Sequence, residues 1–271
     1  MPCPEGGAQT AIYVFGFIAA GAMPELPQPM ADDGRIGLLA HGRIAALITQ
    51  VPACDYTGPG SAQNLADPEW LMPRICRHEA VVEAAMAAGP VFPARFATLY
   101  ARLGSLTGFM AEHEDAISTY LGQVAGQQEW ALTLTAALGD PVELAAIAAE
   151  LWPEWADLKP GLRYLRLRRD RPVLLAAARE RAAAAMPALI APLAPHLTAH
   201  RPLPRAAIQP EHHVEAHALL ARTGQGAILQ GAVQALAAAH ATGPLRIAIT
   251  GPWPPYSFRP SIGGNSPCAA Q

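Results

Sequence analysis

Histidines next to carboxylates are the side chains of this sequence best equipped for chemistry. Glu211, His212, His213 and His217 form its densest group of metal-ligand types. On a helix, His213 and His217 would lie one turn apart on one face, as zincins require of H-E-x-x-H. Here the order is H-V-E-A-H, with the Glu215 carboxylate displaced by one position. The surrounding residues favour a strand, on which the two imidazoles would stand about 13 Å apart. Arg77-His78-Glu79 and Glu112-His113-Glu114 also set imidazoles beside acids. Both fall in helical stretches, where adjacent residues diverge, so surface ion pairing is the expected role. No Ser or Cys sits in a nucleophile-elbow context. Gly224-x-Gly226 is a fragment of a phosphate loop that lacks the remaining glycine and the Lys-Ser/Thr pair, and it reads as the entry to a helix. The sequence is therefore expected not to be an enzyme and to carry no cofactor or metal. Its alternative is a metal-dependent enzyme using His212, His213 and His217.

Two other stretches suit docking better than catalysis. Lys159, Arg163, Arg166, Arg168, Arg169 and Arg171 make a basic run with Tyr164, Leu165 and Leu167 between them, either a solvated face or a docking patch. Nucleic acid is not the expected partner, because stacking aromatics and excess positive charge are lacking. Near the C-terminus, T-G-P-W-P-P-Y-S-F (residues 250–258) follows an apolar strand. Its prolines favour extended geometry, while Trp253 and Tyr256 each offer a large apolar face with a polar tip. This is the chemistry of a rigid hydrophobic plug, packed inside its own domain or against a partner. Pro254 follows an aromatic residue, a place to look for a cis bond.

The elements that must position these residues are those of a two-domain chain. Its 271 residues exceed one typical domain. An apolar share of 51% with 15% charged residues suits buried cores, and a net charge of −3 gives no general attraction to nucleic acid or anionic lipid. Cys3, Cys54, Cys76 and Cys268 form no C-x-x-C pair and are expected to be reduced thiols of a cytoplasmic protein. Residues 12–23 resemble a signal-peptide core but lack a basic n-region, and no stretch is long and apolar enough to span a membrane.

Residues 11–18 (AIYVFGFI) read as a buried strand in which Gly16 permits a close approach. A Pro-rich connection follows, then a hairpin of residues 36–40 and 44–51, then a loop over residues 56–66. Asp67-Pro68-Glu69 starts a helix that runs to Gly89-Pro90, with Pro73 a place where it could restart. Residues 91–99 resemble a strand leading into a turn, and residues 105–123 a helix. The second half begins with a strand at residues 129–136, where Trp130, Leu132 and Leu134 alternate with threonines. A helix from Asp140-Pro141 and a long Ala-rich helix over residues 172–186 come next, broken by Pro187, Pro192 and Pro195. Strands near residues 205–209 and 214–222, a helix at 224–240 and a strand at 245–250 complete it. The expected fold is α+β: two domains (residues 1–125 and 126–271), each a small, mainly antiparallel sheet with helices on one face, variants of the ferredoxin-like pattern.

Several of these stretches, in this order, resemble the gas vesicle protein L/F family. T-G-P-W-P-P-Y-S-F is similar to its closing motif. Residues 11–18 resemble its opening Y-x-Y-G strand, with Phe15 in place of the second Tyr. His78-Glu79 resembles its H-E-x-V helix, and residues 92–98 its P-x-R-F-G-T strand, with Ala97 where Gly is usual and a locally different backbone expected. Gln128-Glu129-Trp130 resembles its E-W strand, and Gly161-Leu162-Arg163-Tyr164-Leu165 its G-x-x-Y-L segment. The resemblance implies a cytoplasmic accessory protein needed to form gas vesicles. It would act on the hydrophobic shell protein and other accessory proteins, without catalysis and without nucleic acid or membrane as partner. Arg163, Arg166, Arg168, Arg169, Trp253, Tyr256 and Phe258 are the expected partner-binding residues. His78, Glu79 and Arg95 are expected to be structural, with Arg95 paired to Glu79.

Overall fold

Two sheets with helices build the chain, as seen in a computed structural model that describes residues 9–27, 34–58, 60–204, 213–241 and 244–262. The chain folds as two compact units, residues 1–128 with 253–271, and residues 129–252.

In the first unit, β1 (Thr10–Ala19) is buried along eight consecutive residues, as a strand covered on both faces must be. It pairs antiparallel with β3 (Ile44–Pro52), which pairs antiparallel with β2 (Gly37–His41). On the other side β1 pairs with β4 (Val91–Pro93) and, further along, β5 (Leu99–Tyr100), giving the order β2-β3-β1-β4. The close approach expected at Gly16 is real: a Cβ there would stand 2.7 Å from the Phe92 carbonyl oxygen, and the β1–β3 register shifts between Val14 and Gly16. The stretch 91–99, expected as a strand leading into a turn, is β4 followed by a turn in which Ala97 takes φ 62°, and β5 begins at its end. That is the left-handed backbone a glycine would adopt, kept here with an alanine at a cost of about 1–2 kcal/mol.

Three helices serve this sheet. α1 (Ser61–Ala66) lies where a loop was expected, since six residues directly after Gly58 and Gly60 are too short to show a helical period. α2 (Pro68–Ala88) starts on Asp67, whose carboxylate accepts from the Glu69 N–H, and passes through Pro73 unbroken. Proline there forfeits one bond near the start of a 21-residue helix, and the helix does not restart. α3 (Leu103–Val124) buries Leu106, Met110, Ile117, Tyr120, Leu121 and Val124. The core has two layers, one around Phe17, Phe92 and Tyr120, the other around Tyr13, Phe15, Val81 and Val82.

The second unit orders its strands β7-β8-β6-β9. These are β6 (Gln127–Ala136), β7 (Ala199–Pro202), β8 (His213–Arg222) and β9 (Leu245–Trp253). In both units the hairpin's second strand lies beside the first strand and the last strand joins its far side, which is the ferredoxin-like arrangement. Along β6, Trp130, Leu132, Leu134 and Ala136 are buried as the alternation predicts. Between β6 and β7 come α4 (Pro141–Leu151), capped by Asp140, α5 (Pro160–Arg169), α6 (Arg171–Ala183) and α7 (Met186–Ile190). The long helix expected over residues 172–186 ends at Ala183, and Pro187 sits at the start of the next. α8 (Gly226–Ala239) leads to β9. The strand expected near residues 205–209 lies outside the described residues, and β7 just before it was not anticipated.

Cys54 is disulfide-bonded, so not every thiol is reduced as expected, whereas Cys76 is free and exposed. Sequence spacing tests only C-x-x-C pairs, while bonding depends on which cysteines folding brings within reach of one another.

Candidate functional site

The basic run folds as α5, and a helix sorts its residues onto two sides. Arg163 and Arg166 point toward their own unit. Arg163 donates to the Ala156 carbonyl at 2.7 Å and lies over the Trp155 ring. Arg166 donates to Glu154 at 2.6 Å, approaches Asp170 at 3.6 Å and stacks 4.3 Å from the Trp152 ring centre. Arg169 is outward but clasped by Asp170 through two 2.8 Å bonds, which hold the Asp170 carboxyl below its usual range. Arg168 is exposed, with its guanidinium 6.0 Å from the Tyr164 ring centre. On the same outer side stand Leu162, Tyr164 and Leu165, exposed at 53%, 59% and 61%. A helix that leaves three large apolar side chains in water on one face, with arginines among them and no acid on that face, has the composition of an interface.

The closing segment serves a different purpose. Its cis bond is at Gly251–Pro252 and not at Pro254. The Tyr120 hydroxyl donates to the Pro255 carbonyl at 2.6 Å, and the Tyr256 hydroxyl donates to Glu79 at 3.0 Å. Phe258 and Ile262 pack on one core layer and Tyr256 on the other. Arg259 donates to the Pro93 carbonyl and lies over the Phe92 and Tyr256 rings. Among the expected partner-binding aromatics, Tyr256 and Phe258 thus face their own unit, and Trp253 is 41% exposed.

His78 is not a surface ion pair, because α2 turns it into the core, where it is 1% exposed. Its Nε2 lies 3.2 Å from the Ala94 carbonyl, which can only accept, so the proton sits on Nε2. Nδ1 then accepts from the Tyr13 hydroxyl at 2.8 Å, and that oxygen accepts the Ala97 N–H at 3.2 Å. Burial pushes the imidazole down to about 4, against a smaller opposing effect of the Ala94 bond, so it is neutral near pH 7. Burial likewise raises the Tyr13 phenol and the Glu79 carboxyl. The expected Arg95–Glu79 pair is not formed. Glu79 is taken by Tyr256, and Arg95 is exposed with no ion pair among the described residues. Tyr13, His78, Ala94 and Ala97 thus form one hydrogen-bonded chain inside the unit. The aromatic ring of Tyr13, Phe15, Tyr56 and Phe96 around it carried no sequence signal beyond apolar strand patterning.

His217 lies on β8 with its Nε2 2.8 Å from Glu215, and its ring centre is 5.8 Å from that of His200. His212 lies outside the described residues, and His213 opens the strand. Among the described residues no three His, Cys, Asp or Glu side chains are grouped to hold a metal.

Residues 11–260 match the model of the gas vesicle synthesis protein GvpL/GvpF family. The chain belongs to this family. The match spans both sheets, α5 and the closing segment. Two solved GvpF structures share the fold. The one from Anabaena sp. PCC7120 superposes with a TM-score of 0.66 at 15% identity, over 95% of this chain and 99% of that one. The one from Microcystis aeruginosa gives 0.62 at 17% identity, over 93% and 99%. No curated protein matches the chain. Among the described residues no helix is long and apolar enough to cross a membrane.

Proposed function

We propose that this protein works in the cytoplasm as an accessory of gas vesicle formation, docking the main shell protein through the outer face of α5. Family membership supports the accessory role, and the exposed Leu162, Tyr164 and Leu165 beside Arg168 carry the choice of surface. Of the four arginines expected to bind, Arg163 and Arg166 hold α5 onto its own unit. Arg168 rims the apolar centre and pairs with partner carboxylates, whereas Arg169 is already clasped by Asp170. Trp253 adds a second exposed aromatic contact. The protein acts by contact and carries out no catalysis, and other accessory proteins of the vesicle are further partners.

The test is co-purification with the main shell protein, co-expressed at low and moderate salt. Leu162→Ser with Leu165→Ser is expected to weaken binding roughly tenfold or more, as loss of interface-centre contacts does. Arg168→Glu is expected to weaken it mainly at low salt. Binding that survives the joint change of Arg163, Arg166, Arg168 and Arg169 to Glu would remove this face from the mechanism. It would leave family membership standing.

A further inference from the structure

Among the described residues, β2 is the one sheet edge longer than four residues that holds no arginine, lysine, acid or proline. β4 has three residues and ends in Pro93, while β7 has four, including Arg201 and Pro202. β9 carries Arg246 and Pro252. β2 is Gly-Leu-Leu-Ala-His, pairs without a bulge along its length, and among the described residues has a neighbouring strand on one side alone. Natural sheets blunt such edges because a flat apolar strand invites another strand.

The hairpin geometry states which groups are free. His41 and Ile44 flank the two-residue turn Gly42-Arg43, and Gly42 has φ 53°, as the first position of such a turn requires. The flanking pair of a two-residue hairpin is hydrogen-bonded. His41, Leu39 and Gly37 therefore direct their backbone groups to β3, and Leu38 and Ala40 direct theirs away from the sheet.

We propose that this edge pairs with the same edge of a second copy of the chain, antiparallel about a dyad at Leu39. In that register Leu38 of each copy faces Ala40 of the other, and the free groups close four N–H···O bonds with none left over. The 39% exposed Leu38 gains a neighbour, and Ala40 opposite leaves it room. The charges agree as well. Arg35 is exposed and falls opposite Arg43 of the other copy, whose guanidinium is held by Glu114 and Asp115. One arginine against two carboxylates leaves that cluster net negative, and the Asp115 side chain is 94% exposed. Arg35 thus meets a negative surface at both ends of the paired strands. The inference is independent of the α5 docking face.

So short an edge makes a weak dimer, one that builds up over a micromolar to millimolar range of protein. Sedimentation velocity of the full chain across that range is expected to show concentration-dependent dimerisation. Ala40→Pro removes a free N–H without touching the β3 ladder and is expected to weaken dimerisation at least tenfold with the circular dichroism unchanged. Should that variant misfold, Leu38→Lys reads the same edge. Arg35→Glu and Asp115→Arg are each expected to weaken it, and their combination to restore it. A wild-type chain that stays monomeric throughout, or a dimer indifferent to the edge variants, overturns the proposal.

Discussion

Tyr13, His78 and Ala97 show how much one buried imidazole can organise. Its two nitrogens tie the opening strand, through the Tyr13 hydroxyl, to the segment after β4, through the Ala94 carbonyl. Ala97, in its strained backbone, donates to the same hydroxyl. The arrangement carries a pH signature. The folded-state value of about 4 lies below the ordinary 6.5, so as pH falls the unfolded chain binds the proton first. Stability at this site is therefore whole above about pH 6.5 and is lost as the pH falls toward 4, by about 3 kcal/mol in all. Glu79, raised by burial, works in the opposite direction, so the comparison must be made against a variant. Urea unfolding of wild type and His78→Gln between pH 7 and 4 should give a steeper acid loss for wild type. Parallel curves would refute the buried neutral imidazole.

At the scale of elements, Trp130 explains two sequence features that looked unrelated. A Cβ on Gly226, at the start of α8, would stand 2.5 Å from the Trp130 ring, and one on Gly251, in β9, 3.0 Å. The supposed phosphate-loop fragment and the glycine of the closing motif thus both make room for one buried indole. Gly226→Ala would force the 4% exposed ring to move, with an expected loss of about 1–3 kcal/mol, measurable by thermal or urea unfolding. A neutral result would mean the indole has space the packing does not suggest. α5 makes the complementary point. Its inward arginines are held by Glu154, Asp170 and the Trp152 and Trp155 rings, and its outward leucines touch nothing described that would bury them.

For the whole molecule, the notable feature is the path of the chain. After β9 it returns to the first unit, and residues from Trp253 onward group with residues 1–128. Pro255, Tyr256, Phe258 and Arg259 then bond to or pack on Tyr120, Glu79 and Phe92, from both core layers. The first unit is complete only when the last part of the sequence has been added. A chain ending at Pro252 should therefore exchange its amide hydrogens at least tenfold faster in α2, α3 and β4, with β6–β8 little changed. Uniform exchange rates in the two chains would show that the closing segment is dispensable to that core.

Much of this was legible in the sequence because its signals are local. Alternation marked β6, Asp67-Pro68 and Asp140-Pro141 marked helix starts, and two apolar runs three residues apart, 36–40 and 44–51, marked the hairpin. These depend on backbone geometry within a few residues, which composition and spacing report directly. The order of strands and helices carried the α+β class, and the motifs in order carried the family. Tertiary structure decided the rest. It chose which arginines of α5 are held and which are free, turned His78 inward onto Tyr13, gave Glu79 to Tyr256 in place of Arg95, and sent the closing aromatics back to the first unit. Each of these joins groups separated by up to 177 residues, or depends on which side of an element faces its core. A single sequence records local preference in its spacing, whereas partners that meet only through packing leave no periodic trace.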